Sequence, residues 1–133
     1  MKKMSDALGA AVHAVIFDCD DPMVLAEFYA NLLGGEVEAD PFGGYSVTVA
    51  GLGCTLGFQA DEDYQRPVWP GEKGGQMQMM HLDLRVRDRQ EAVEYALAIG
   101  ATEPAEQFCQ PDWEPQWITL LDPAGHPFCI WDE

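Results

Sequence analysis

Two histidines, His13 and His81, are the residues of this chain with the clearest capacity for chemistry. Each is followed seven residues later by an aspartate, Asp20 or Asp88, and the histidines lie 68 residues apart. Imidazole transfers protons near neutral pH and binds metal ions through a neutral ring nitrogen. Repetition of this spacing predicts two related units, each with a histidine at an equivalent place.

Around the second histidine, residues 80–86 alternate as a half-buried strand does. One face carries His81, Asp83 and Arg85, and the other carries only apolar side chains. A carboxylate and a guanidinium beside an imidazole can orient a substrate. An ordinary internal salt bridge explains the Asp83 and Arg85 pair equally well.

The elements that position these residues follow the same order in both units. An aspartate caps each helix, with Pro22 at the first position of the first helix and Glu91 completing a capping box in the second. The predicted elements of the first unit are a strand over 12–17, a helix from Pro22 to Gly34, and hairpin strands over 45–50 and 54–59. Those of the second are a strand over 78–86, a helix over 88–99, and hairpin strands over 117–121 and 127–131. We therefore predict one domain, 1–133, built of two β-α-β-β-β modules over about 12–60 and 77–132, with a connector over 61–76.

Composition limits the classes of function. The chain has 133 residues, of which 47% are hydrophobic, so it is long enough for one folded domain with a real core. Its formal charge of −16 argues against nucleic-acid binding, which needs clustered basic residues. The same charge favours a cationic ligand, although a solvated acidic surface also explains it.

Location is predicted from the segments and cysteines that the sequence contains. No segment approaches the length of a membrane span, and the four cysteines show no C-x-x-C spacing. We expect a cytoplasmic protein with free thiols and no membrane partner.

Several strings in this order resemble the vicinal oxygen chelate superfamily, the group of glyoxalases, fosfomycin-resistance proteins, extradiol dioxygenases and bleomycin-resistance proteins. The resemblance spans about residues 12–132. Strings that look like its glyoxalase-like branch include Phe17-Asp18-Cys19, Ala26-Glu27-Phe28-Tyr29, Phe58-Gln59, His81-Leu82-Asp83-Leu84 and Asp122-Pro123-Ala124-Gly125-His126-Pro127-Phe128-Cys129. The resemblance implies an α+β fold in which the modules form a cupped eight-stranded mixed sheet with helices outside. It also implies a homodimer.

The resemblance further implies where a metal would bind. Ligands in metal-dependent members come from the first and last strands of each module, which places them on His13, His81, Cys129 and either Gln59 or Gly57. Metal-dependent members typically have Glu where this chain has Cys129. The donor set would suit a divalent ion such as zinc, nickel, manganese or iron, while Cys129 as an apolar filler would leave no metal.

Two functions of different class follow from the resemblance. The first is a metal-dependent lyase or isomerase acting on a small oxygenated substrate, with His81 as catalytic residue and Asp83 or Gln59 assisting proton transfer. The alternative is a metal-free protein that sequesters a small molecule, as the bleomycin-resistance branch does. Both functions are compatible with a resistance determinant and with a protein of metabolism.

Aromatic residues offer a second kind of site. Trp131 shares a strand face with Cys129, and Trp69 and Trp117 lie in or beside the two long loops, where they could stack on a planar ligand. Arg85 and Phe17, on the first strands, complete the predicted ligand-binding set. The alternative is that the tryptophans only cap the core. His126 lies in a turn, and we expect it on the surface.

Overall fold

The computed structural model describes residues 2–133, which form three helices and seven strands. In chain order they are α1 (Met4–Leu8), β1 (Ala14–Cys19), α2 (Pro22–Leu33), β2 (Val37–Asp40), β3 (Gly44–Thr48), β4 (Thr55–Ala60), β5 (Leu82–Val86), α3 (Arg89–Ala98), β6 (Trp117–Leu121) and β7 (Pro127–Asp132). None of the helices in this part of the chain is long and apolar enough to cross a membrane.

The strands form two mixed sheets, so the predicted α+β class is confirmed. In the first sheet the order is β1-β4-β3-β2, with β1 parallel to β4. In the second it is β5-β7-β6, with β5 parallel to β7. The parallel pair of each sheet is thus formed by the strand before the helix and the last strand of the same unit.

Both long helices begin where local sequence places them. Asp21 accepts a hydrogen bond from the amide of Val24 at 3.2 Å, and Pro22 follows at the first helical position. Asp88 accepts one from the amide of Glu91 at 3.1 Å. Each cap satisfies a backbone donor that the first helical turn leaves without a partner.

The predicted eight-stranded cupped sheet is not confirmed. Within residues 2–133 the second unit has three strands, and the loop before β6 forms only an isolated bridge between Thr102 and Leu121. Three prolines in 103–116 remove amide donors that a strand would need.

A side chain takes part of the place of the missing strand. The side-chain amide of Gln107 accepts a hydrogen bond from the backbone N–H of Thr119 at 2.8 Å and donates one to the backbone carbonyl of Thr119 at 2.7 Å. Together with the Thr102 bridge, this covers the outer edge of β6, which would otherwise present unpaired backbone groups.

The two units share one hydrophobic core. Phe28 of α2 and Phe128 of β7 both lie in it, with ring centroids 5.9 Å apart. Tyr29 of α2 donates a hydrogen bond to the buried Asp122 at 2.7 Å. Helix α2 therefore packs against both units and fixes the end of β1 beside the turn that leads into β7.

Candidate ligand-binding site

The helix caps define which residues of the two units are equivalent. Asp21 and Asp88 are 67 residues apart, whereas the two histidines are 68 apart. Counting from the caps, the counterpart of His81 is Ala14. Packing agrees, because Val15 contacts the core as Leu82 does in the second unit. His13 lies one residue before Ala14, precedes β1 and is exposed. The two histidines are therefore not at equivalent positions, although their spacing had suggested that His13 is the partner of His81.

Three candidate donors meet on the second sheet. His81 Nε2 lies 3.3 Å from Asp83 Oδ1, and Cys129 is paired in register with Asp83. One ligand atom from each of the three residues lies within 4.8 Å of the others. The structure therefore brings His81 and Cys129 together and adds Asp83, which the sequence suggested as a catalytic group and not as a ligand.

Cys129 is buried, with 7% of its surface exposed. Burial raises the pKa of its thiol, the hydrogen bond with Thr119 opposes this rise, and the negative charge of Asp83 adds to it. The group at this position is therefore a thiol at neutral pH. It becomes a thiolate ligand only if a metal ion displaces its proton.

The first unit supplies no matching donors. Ile16 pairs with Gly57 as Asp83 pairs with Cys129, so Ala14 and Gly57 stand where the second unit has His81 and Cys129. A Cβ at Gly57 would lie 2.5 Å from Ile16 Cδ1, so the isoleucine side chain fills this place. The donors of a metal site would therefore all come from the second unit. They are the nitrogen of His81, the oxygen of Asp83 and the sulfur of Cys129, which are donor types that zinc accepts.

The other predicted residue of the first unit has its own partner. Gln59 Nε2 donates to Asp18 Oδ1 at 2.6 Å, across the β1 and β4 pair. Gln59 thus lies on the first sheet, and its amide is engaged by a carboxylate.

The tryptophans pack mainly on one another. The ring of Trp117 stacks on Trp131 at 4.7 Å between centroids and on Trp113 at 5.3 Å. Trp69 meets Phe108 edge to face at 6.0 Å. The Trp69 contact joins the connector to the 103–116 loop, and the Trp113 contact joins that loop to β6. Within residues 2–133 no tryptophan belongs to the hydrophobic core or packs against it, so these contacts do not support the alternative in which the tryptophans cap the core.

Arg85 pairs in register with Trp131 and lines a groove beside β5. The groove is also lined by Asp83, by Leu33 at the end of α2 and by Tyr95 of α3. The structure places no described carboxylate within 4.0 Å of the Arg85 guanidinium, so Asp83 and Arg85 do not form the internal salt bridge considered above.

A cavity of about 430 Å³ lies between β1 and the segment that precedes β5. Its apolar walls include Val15, Ile16, Phe17, Met77, Met79 and Leu82. The connector lines another side, and His81 lies at the boundary between the cavity and the cluster with Asp83. Of the predicted site residues, Phe17 and His81 therefore line this cavity, and the three predicted tryptophans do not.

The expectation that His126 is a surface residue is wrong. Its side chain is only 17% exposed and lines the cavity, with Nδ1 2.8 Å from Asp122 Oδ2. Asp122 is fully buried and also accepts from the Tyr29 hydroxyl and the amides of Ala124 and His126. The sequence contained one signal for these contacts. Asp122 stands at the start of the turn, and the side chain of an aspartate in that place commonly accepts a hydrogen bond from the backbone amide two residues later.

Tyr64 of the connector completes this wall. Its hydroxyl donates to the carbonyl of Ala124 at 2.7 Å and lies 3.3 Å from His126 Nε2. Burial and the charge of Asp122 raise the pKa of Tyr64 well above its ordinary value, so it is a neutral phenol. The connector is thereby tied to the turn before β7.

Thiol reactivity provides a first test of this environment. Burial, with help from Asp20, raises the pKa of Cys19 to about 12, and burial also raises that of Cys129. We expect iodoacetamide at neutral pH to modify the half-buried Cys54 and Cys109 first, because only thiolates react and Cys19 and Cys129 hold their protons. Peptide mass spectrometry over time measures this. Equal rates at all four cysteines would contradict the described burial.

Comparisons with known proteins agree on the family. A sequence model of the glyoxalase-like domain matches residues 14–131. A search of curated protein sequences gave no significant match. Among solved structures, a member of the glyoxalase/bleomycin resistance protein/dioxygenase superfamily from Sphaerobacter thermophilus is similar, with 25% identity, a TM-score of 0.62, and coverage of 93% of this chain and 98% of that one.

Two further structures share the fold at lower identity. The fosfomycin resistance protein FosX from Listeria monocytogenes, solved with Mn(II) and 1S,2S-dihydroxypropylphosphonic acid, has 14% identity, a TM-score of 0.66 and coverage of 93% of this chain and 90% of that one. TnmS3, an antibiotic binding protein from a Streptomyces species, has 16% identity, a TM-score of 0.59 and coverage of 92% and 95%. The family match spans most of the chain, and the chain therefore belongs to the glyoxalase-like domain family of the vicinal oxygen chelate superfamily.

Proposed function

We propose that this chain is a small-molecule-binding protein whose ligand occupies the cavity between β1 and the segment before β5. The observation that carries the proposal is the cavity itself, because its volume of about 430 Å³ falls within the range of small-molecule pockets and its exposed methionines, Met77, Met79 and Met80, leave it open for a ligand to enter. Its walls are largely apolar, with His126 and Tyr64 as fixed polar groups. TnmS3, which shares the fold, is described as an antibiotic binding protein, and an antibiotic is one candidate ligand.

Binding is favoured over metal catalysis by the donors that the two units offer. Three donors come from the second unit, while Ala14 and Gly57 occupy the equivalent positions in the first. Cys129, where metal-dependent relatives typically have Glu, holds its proton because it is buried. The site therefore offers one imidazole, one carboxylate and one protonated thiol, all from the second unit, and no equivalent donor from the first.

A ligand screen tests the proposal. Small organic compounds with apolar bodies are added to the protein, and binding is followed by saturation-transfer NMR and by the shift in the thermal unfolding midpoint. We expect ligands that raise the midpoint with increasing concentration and that compete with one another, because one cavity holds them. Compounds that bind without competing, or a screen in which no compound raises the midpoint, would contradict a single cavity site.

A second candidate function is that of a metal-dependent lyase or isomerase. The observation that favours it is the convergence of His81, Asp83 and Cys129. A divalent ion held there would act as a Lewis acid toward adjacent oxygens of a substrate. FosX was solved with Mn(II), which supports metal use by a protein with this fold.

Elemental analysis separates the two candidates. The protein is purified without chelator or affinity tag, incubated with zinc, nickel, manganese or ferrous ion, and desalted. For the binding protein we expect metal well below one equivalent, unchanged by His81→Ala. Near-stoichiometric metal in the parent protein that is lost in His81→Ala, and kept in the matched variant His13→Ala, would favour the enzyme.

We further propose a cytoplasmic homodimer. The four cysteines are free, which suits a reducing compartment. Strands β1 and β5 each have an unpaired edge within residues 2–133, and Ile16 is 51% exposed on β1. Such edges and exposed apolar groups are commonly covered by a second copy. Sedimentation equilibrium of the purified protein is expected to give twice the chain mass, and a monomer at micromolar concentration would contradict the dimer.

A further inference from the structure

We propose that the ligand of the cavity is an organic cation, an ammonium group attached to an apolar body; this inference rests on the proposed binding function. Three carboxylates line the cavity, those of Asp18, Asp61 and Asp63, and all three residues are exposed. In the described part of the chain, no lysine or arginine lines it. Apart from the two histidines, His81 and His126, the charged side chains that line the cavity are therefore carboxylates.

The three carboxylates are not neutralised by the protein. Within residues 2–133 the carboxylates that lie within 4.0 Å of a basic side chain are Asp83 beside His81, Asp132 beside Arg89 and Asp122 beside His126, and none of the three lines the cavity. Asp18 accepts instead from the neutral amide of Gln59, and Asp61 from the backbone amide of Asp63. Because the formal charge of the whole chain is −16, the surrounding field also attracts cations and repels anions.

The interior of the cavity offers groups that suit an ammonium ligand. Gln78 lines it, and its Oε1 is shielded from solvent and has no hydrogen-bond partner among the described residues, so the side chain can turn this acceptor toward a ligand N–H without losing a bond. The aromatic residues Phe17 and Tyr64 also line the cavity, and an aromatic ring attracts a cation that lies over its face. Methionines at 77, 79 and 80 are adaptable apolar surface for the rest of the ligand.

The experiment compares three probes with the same apolar body and different head groups. These are 4-phenylbutylammonium, 4-phenylbutanol and 4-phenylbutyrate, and their affinities are measured by isothermal titration calorimetry at low salt. We expect the ammonium to bind at least about tenfold more tightly than the alcohol, and the carboxylate to bind most weakly. Added sodium chloride should weaken binding of the ammonium and leave binding of the alcohol nearly unchanged.

Two variants that each remove three negative charges test whether the cavity carboxylates attract the ammonium group. The triple variant Asp18→Asn/Asp61→Asn/Asp63→Asn should lower the affinity for the ammonium about tenfold and leave that for the alcohol unchanged. The control Glu103→Gln/Glu106→Gln/Glu114→Gln removes three exposed charges that do not line the cavity, and it should have a much smaller effect.

Each other outcome overturns a stated part of the proposal. If the alcohol or the carboxylate binds as tightly as the ammonium, the cation preference is wrong and the binding function stands. If both triple variants weaken ammonium binding equally, net charge and not the cavity carboxylates attracts the ligand. If none of the three probes binds, the cation proposal fails, and the binding function fails with it when the broader ligand screen is also negative.

Discussion

Replacing Asp122 by alanine is expected to lower the free energy of unfolding by about 3–5 kcal/mol, because several buried donors lose their shared acceptor at a cost of about 1–3 kcal/mol each. Asp122 has no exposed surface and accepts from the Tyr29 hydroxyl, His126 Nδ1 and two backbone amides. Alanine would leave these buried donors without an acceptor, and each unsatisfied donor carries its own desolvation cost. The variant also releases α2 from the turn before β7, so the change should affect the whole domain.

Urea denaturation of the parent protein and the variants measures this effect. Tyr29→Phe removes one of the donors and should cost about 1–2 kcal/mol. The matched control is Asp132→Ala, because within residues 2–133 the Asp132 carboxylate makes one ion pair, 3.8 Å from Arg89, and a partly exposed ion pair of this kind is worth about 0–1 kcal/mol. A loss at Asp122 no larger than that at Asp132 would contradict the described network.

Filling the cavity with Gln78→Trp is expected to lower the affinity for a cavity ligand by at least about tenfold, or ~1.4 kcal/mol. Gln78 is half-buried and lines the cavity, and its Oε1 makes no hydrogen bond among residues 2–133. Its replacement therefore sacrifices no polar contact within the protein, while the larger indole takes volume from the ligand. Titration calorimetry with 4-phenylbutylammonium measures the change.

The control for this variant places the same side chain elsewhere. Leu52 lies in the turn between β3 and β4, is 46% exposed and does not line the cavity. Leu52→Trp should bind the probe as the parent protein does. Thermal unfolding of both variants shows whether they are folded. Unchanged affinity in folded Gln78→Trp would place the ligand outside the cavity.

Elements whose signals are local could be predicted from the sequence. The strand predicted over 117–121 is β6 as observed, and the helix beginning at Pro22 ends before Gly34, as expected. Asp21 and Asp88 cap their helices through hydrogen bonds that span only three residues. Such signals depend on neighbouring residues alone, which is why pattern and turn chemistry were sufficient.

Features that depend on contacts between residues far apart in the sequence were harder to predict. Within residues 2–133 the Gln107 side chain bonds to the backbone of Thr119 where an eighth strand was expected, and no local pattern indicates that pairing. The sequence did contain the signal that His13 and His81 are not equivalent. Pro22 at the first helical position makes Asp21 the helix cap, and counting back from this cap gives Ala14 as the counterpart of His81.

The candidate site was predicted in part. His81 and Cys129 converge because alternation along two paired strands is a regular property, which the sequence displays. The cavity was not predicted, because it forms where β1, the connector and the turn around His126 meet in space. Tyr64 and His126 contact one another across 62 residues, a separation that no periodic pattern encodes.

Mapping a bound probe onto the protein tests the proposed cavity most directly. Amide chemical shifts are followed in a two-dimensional ¹⁵N NMR titration with 4-phenylbutylammonium. We expect the largest changes in residues 15–18, 63–65 and 76–82 and at His126, which line the cavity. Changes confined to Trp113, Trp117 and Trp131 would instead place the ligand on the tryptophan stack and contradict the cavity as the binding site.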